Sequence, residues 1–217
     1  MIETAIAAFQ LPDVRRKILF TVGLLVVFRL VAHIPLPGVN TELLADFFAG
    51  NQHLGFMNLL SGGALENFSV VALGVYPYVT ANIASTVLVP LIPPLQELSK
   101  EGEAGRRKIA QWTRLATIPF AMLQGFGQIQ ILRSAEQGLL VPTLGAFDIL
   151  VMLIVMAAGT MFLLWLGELI TENGIGNGVS IIIFAGIVAG APAALGQSLF
   201  AGENICLFYT SDAADER

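Results

Sequence analysis

VVALGVYPYVTANIASTVLVPLIPPL, residues 70–95, carries no Asp, Glu, Lys or Arg and no regular alternation of apolar and polar positions. A barrel strand would alternate, whereas an uncharged run of this length suits a helix crossing about 30 Å of hydrocarbon. The stretch is not a plain anchor, however. Pro77, Pro90, Pro93 and Pro94 interrupt it, and Pro77 is expected to kink the helix because it lacks a backbone donor. Tyr76, Tyr78, Thr80, Asn82, Ser85 and Thr86 add polar groups, with Asn82 and Thr86 on one helix face and Ser85 beside them. A single such side chain reads as a helix–helix hydrogen bond. Together, in a kinked span, they predict the wall of a wet cavity.

Working outward, four more segments have similar character: 18–34, which holds Arg29 and His33, then 109–132, 149–167 and 179–199. The whole chain, 217 residues long, has only 12% charged residues and 55% hydrophobic ones, against about 25% charged in soluble domains. These values predict an all-α polytopic membrane protein with five spans. Basic residues set its orientation. Arg15, Arg16 and Lys17 precede the first span, and Lys100, Arg106, Arg107, Lys108 and Arg114 lie between or beside the second and third. Only Arg133 falls in the short loops of the other side. The segments 1–17, 96–108 and 168–178 are therefore expected in the cytoplasm, with 35–69 and 133–148 outside. The first span reads as uncleaved, since the apolar run ends in HIPLPG (33–38) without a small-residue cleavage site.

The sequence offers little for covalent or metal chemistry. Cys206 is the single cysteine and there are 2 histidines, so neither a disulfide framework nor a thiolate metal site is available. No acid–base pair or activated nucleophile is legible on the spans, and no enzymatic activity or cofactor is expected. Arg29 sits close enough to an interface to snorkel, and Glu168 and Glu172 read as solvated residues at the inner end of the fourth span. Gly174, Gly176 and Gly178 do not follow a strand, which excludes a dinucleotide fingerprint. They leave two readings open: a flexible turn with a helix start at Asn177 or Ser180, or a helix end pressed on another backbone. Between the first two spans lies NLLSGGALENFS (58–69), far too short to cross and too apolar for a plain solvated loop.

Four stretches resemble one family closely: FRLVAHIPLPGV (28–39), LLSGGALENFSVVALGVYPYVTANI (59–83), KEGEAGRRKIAQWTR (100–114) and GTMFLLWLGELITENGIGNGVSIIIFAGIVAGAP (159–192). They are similar to the SecY family, the central subunit of the bacterial protein-conducting channel. The resemblance implies one half of an inverted-repeat channel, five spans of the family's ten, in the bacterial cytoplasmic membrane. It implies a short re-entrant plug helix made of Asn58, Leu59, Leu60, Ser61, Gly62, Gly63, Ala64, Leu65, Glu66 and Asn67. It also implies a ring of aliphatic side chains at the waist of the pore, here Val75, Val79, Val179 and Ile183. Periodicity alone would make these ordinary packing positions. The resemblance further implies that the second and third spans form part of a lateral gate. Lys100, Arg106, Arg107 and Lys108 would face a cytoplasmic partner or anionic lipid, although topology alone explains them. The implied partners are the SecE and SecG subunits, the SecA ATPase or a ribosome, an unfolded secretory polypeptide and the lipid bilayer. A competing expectation is half of a secondary transporter for a small solute, which broken helices also suit. The lack of charge at the centres of spans two to five weighs against it. Residues 204–217 break the pattern: their end, ICLFYTSDAADER, resembles the translation of a transposon-end sequencing adapter and is expected not to be biological.

Overall fold

The computed structural model describes residues 12–36, 39, 44, 68–135 and 145–200. They form six helices: α1 Pro12–Ala32, α2 Tyr76–Leu91, α3 Pro93–Lys100, α4 Glu103–Ala135, α5 Ala146–Asn173 and α6 Gly178–Phe200. A helix overlaps each of the segments 18–34, 70–95, 109–132, 149–167 and 179–199, with ends displaced by several residues. Two of the described helices, α4 and α5, are each long and apolar enough to cross a membrane, and α2 with α3 makes a third candidate bent by 98°. In its 21 residues α1 carries Arg15, Arg16, Lys17 and Arg29, and would be about 31 Å long.

The second expected span departs most from expectation. Residues 70–75 are turns, and α2 begins only at Tyr76. Two local features explain the delay. Gly74 sits at φ +58, and the Val71 amide donates to the Ser69 hydroxyl at 3.3 Å, a local bond that competes with helix. Pro77 does not kink the helix as expected. It lies at the first positions of α2, where a missing amide leaves no bond unmade. At the other end the chain turns at Ile92, whose backbone is extended (φ −103, ψ 110). Pro93 forbids helical geometry to the residue before it and then opens α3.

Packing runs α2 against α4, α4 against α5, and α5 against both α6 and α1. Lipid tails are as apolar as leucine, so close packing rather than water exclusion must hold such helices together. Glycines supply the closeness at two places. A Cβ on Gly159 of α5 would strike the carbonyl oxygen of Val70, and one on Gly178 of α6 would strike that of Gly167. Buried apolar residues fall into two clusters. One joins Leu73 to Ala121, Ile129, Leu132, Met152 and Met156. The other joins Val71 and Val75 to Phe28, Leu163, Leu166, Ile170 and Ile182. The turn segment 70–75 therefore feeds both clusters. It is fastened to the end of α1 by Val70 N–H to the Ile34 carbonyl and Leu36 N–H to the Phe68 carbonyl, each 3.0 Å.

Candidate functional site

Val75 caps α2 from the N-terminal side, and the Val79 amide donates to its carbonyl at 3.1 Å. That first helical bond stacks the two valines on one face. On α6, Val179 lies in the opening turn and Ile183 one turn further. Val75, from the turn before α2, belongs to an apolar cluster against which Val179 and Ile183 of α6 also pack. Val75 is turned into it and only 6% exposed, while Val79, Val179 and Ile183 keep partial exposure. Val79 lies outside both clusters.

The glycine run that opens α6 satisfies both open readings. Asn177 accepts from the Ser180 amide at 3.2 Å through its side chain and from the Ile181 amide at 3.0 Å through its carbonyl, so it starts the helix. Gly178 meanwhile presses on Gly167 of α5. The Thr171 hydroxyl ties this crossing, donating to the Gly167 carbonyl at 2.8 Å and accepting from the Gly178 amide at 2.9 Å. This junction positions Val179.

The polar residues of α2 divide. Thr80 accepts from the Gln124 side-chain amide of α4 at 3.2 Å, and the Ser85 hydroxyl lies 2.9 Å from that of Thr113. Those two make helix–helix bonds, as single polar residues in a membrane helix commonly do. Asn82 and Thr86 remain exposed, beside a groove of about 320 Å³ between α2 and the start of α4. Among the described residues, the side-chain oxygens of Gln124, Gln128 and Thr160 that are named Oε1, Oε1 and Oγ1 are buried without a hydrogen-bond partner.

Lys100 ends α3, while Arg106, Arg107 and Lys108 sit in the opening turns of α4, and all are exposed. A tight turn with Gly102 at φ +78 joins the two helices. Cations at a helix N-terminus oppose its dipole, typically by about 0.3–1 kcal/mol each, so helix stability is not what places them there. One expectation needs correction. Glu168 is not simply solvated: its carboxylate meets Arg114 of α4 at 2.6 Å. The pair was hidden because it depends on the α4–α5 register. Gly125 beside Met156 fixes that register, and eleven residues back on α4 brings Arg114 level with Glu168. Glu172 is exposed, as expected. His33 bonds to its own helix end: its Nδ1 lies 2.8 Å from the Arg29 carbonyl. The expected plug, Asn58 to Asn67, and the tail 204–217 lie outside the described residues.

Comparison with known proteins gives this arrangement a context. The SecY family model matches residues 69–212. The SecY translocase subunit of Streptomyces coelicolor is 47% identical over 206 residues, covering 90% of this chain and 47% of that protein. The chain spans about half the length of the relatives it matches. Among solved structures, a protein-conducting channel superimposes with a TM-score of 0.56 at 18% identity, over 88% of this chain and 38% of that one. Canine Sec61, from a ribosome–channel complex of the endoplasmic reticulum, gives the same score and identity. At that identity the likeness speaks for the fold, which is all-helical among the described residues. Nothing in these comparisons supports a small-solute transporter. The family-model match over residues 69–212 and the identity over most of the sequence lead to one assignment: the chain belongs to the SecY family and carries about half of that family's length.

Proposed function

We propose that this chain forms one half of a protein-conducting channel, which passes unfolded polypeptides across the bacterial cytoplasmic membrane and releases apolar segments into it. One observation carries the reading: Val75, Val179 and Ile183 converge on one apolar cluster from segments about a hundred residues apart in sequence. With Val79 they supply half of an aliphatic collar, and a hydrophobic constriction excludes ions by dewetting. The second half of a full-length subunit completes it. Five crossings, with the N-terminus and the Lys100–Lys108 turn in the cytoplasm, follow from the distribution of basic residues.

Asn58 to Asn67 act as the plug in this scheme, closing the outer mouth at rest. SecE and SecG are the expected small subunits. SecA or a ribosome supplies the driving force at the basic turn, where Lys100, Arg106, Arg107 and Lys108 suit anionic surfaces. The chain itself performs no covalent chemistry. Photo-crosslinkers at Val75, Val79, Val179 and Ile183 of the full-length channel test the collar. An arrested secretory polypeptide is expected to link to them. Adducts with lipid alone would refute it. Deletion of residues 58–67 is expected to raise resting ion conductance in a planar bilayer, and an unchanged conductance would remove the plug from the scheme.

A further inference from the structure

The link from α5 to α6 cannot by itself aim the helix it leads into. It consists of Gly174, Ile175, Gly176 and Asn177, with Gly176 at φ +67. Two glycines in so short a link leave its backbone free to swing. Val179 and Ile183 lie in the first two turns beyond it, so what holds them must lie outside the link. One holding contact is steric. A Cβ on Gly178 would strike the Gly167 carbonyl oxygen and stand 2.8 Å from the Ile170 Cβ. Small residues let two backbones approach, but such a contact has little direction and permits sliding. The other is the Thr171 hydroxyl. It donates to the Gly167 carbonyl at 2.8 Å, which holds its orientation, and accepts from the Gly178 amide at 2.9 Å. Gly178 is buried, and its amide belongs to the helix start, where donors have no partner within the helix. Asn177 serves the Ser180 amide from inside the link, whereas Thr171 serves Gly178 from the preceding helix. Among the described residues this is the one hydrogen bond that joins α5 to α6.

We infer that Thr171 is the positioning residue for α6: its hydroxyl sets where the helix starts on α5, and through that start the place of Val179 and Ile183 in the collar. Val179 follows directly on Gly178. Its Cγ2 and amide nitrogen lie 3.2 and 3.3 Å from where a Cβ of Gly167 would stand, so a slip of α6 along α5 displaces Val179 first. The effect at the pore rests on the proposed collar, whereas the tie between the helices does not.

The test reads helix position and pore closure separately in the full-length channel. Trp165 on α5 and Phe184 on α6 are 54% and 66% exposed, and spin labels on cysteines at these two positions report the distance between the helices. Thr171→Val keeps the shape of the side chain and removes the hydroxyl. It is expected to enlarge the displaced population of α6 about two- to tenfold, the range of one neutral hydrogen bond, and to raise resting ion conductance in a planar bilayer in parallel. Thr171→Ser keeps the hydroxyl and is expected to restore both readings. Arg114→Gln removes the α4–α5 ion pair about one turn from Thr171 on α5 and is expected to change neither. An unchanged distance in Thr171→Val would overturn the inference. So would failure of Thr171→Ser to restore it, or an equal effect of Arg114→Gln, which would mean general loosening. A displaced α6 with unchanged conductance would uphold Thr171 as the tie and count against the collar, so the two proposals are separable.

Discussion

Gly159→Ala is the substitution whose sign most sharply separates packing from helix propensity. Gly159 lies in the interior of α5. In a free helix, alanine there would stabilise by about 0.8–1.0 kcal/mol. Here the new methyl group would land on the Val70 carbonyl oxygen, with the Val70 Cγ1 also close. A backbone carbonyl cannot rotate aside as a flexible side chain can. Relief requires the 70–75 segment to lift from α5, and that segment supplies Val71, Ala72, Leu73 and Val75 to the two clusters. Overpacking of this kind costs about 1–3 kcal/mol, sometimes more. The net expectation is a loss of about 0–2 kcal/mol, after the propensity gain is subtracted. Gly127 in α4 is the control, because nothing lies within 4 Å of a Cβ built there. Gly127→Ala is expected to be neutral or to stabilise by up to about 1 kcal/mol. Unfolding of the full-length channel in mixed micelles, followed by circular dichroism, would measure both. Equal, stabilising effects would refute the close contact of Val70 with α5.

The Arg114–Glu168 pair is partly exposed, at 45% and 29%, so Arg114→Gln is expected to cost only about 0.2–1 kcal/mol in the same unfolding assay. Exchanging the two charges should recover most of that loss, and a double-mutant cycle without coupling would deny the pairing. Thr80→Val should cost about 1 kcal/mol, because it leaves the Gln124 amide without its acceptor. Gln124→Leu should be close to neutral, since it removes the unpartnered buried Oε1 together with the bond. The reverse order of effects would contradict the assignment of that hydrogen bond.

The helical segments were legible from apolar runs poor in charge. The start of α2 was not, because composition cannot distinguish a buried turn from a buried helix. Gly74 and Pro77 were the available signals, and Pro77 marked a beginning rather than a kink. The bend before Pro93 was likewise written in the proline pair, although the run looked continuous to Leu95. The two readings of the glycine run were both right, since Asn177 caps α6 while Gly178 makes the close approach. Arg114–Glu168 and Thr80–Gln124 were invisible because each depends on the register between helices, which no local pattern encodes. The aliphatic collar was legible only through family resemblance, since its spacing is that of any packed helix.

The central claim is that the flanks of α2 and α6 face a water-filled conduit and not acyl chains. Thiol accessibility tests it most directly. Val79→Cys, Val179→Cys and Ile183→Cys in the full-length channel would each be challenged with a membrane-impermeant charged thiosulfonate, with Leu123→Cys, 69% exposed on α4, as reference. The account expects rapid labelling of the first three once a translocating polypeptide holds the channel open, and none at Leu123. Labelling at Leu123 alone, or at none of the collar positions with the channel occupied, would contradict it.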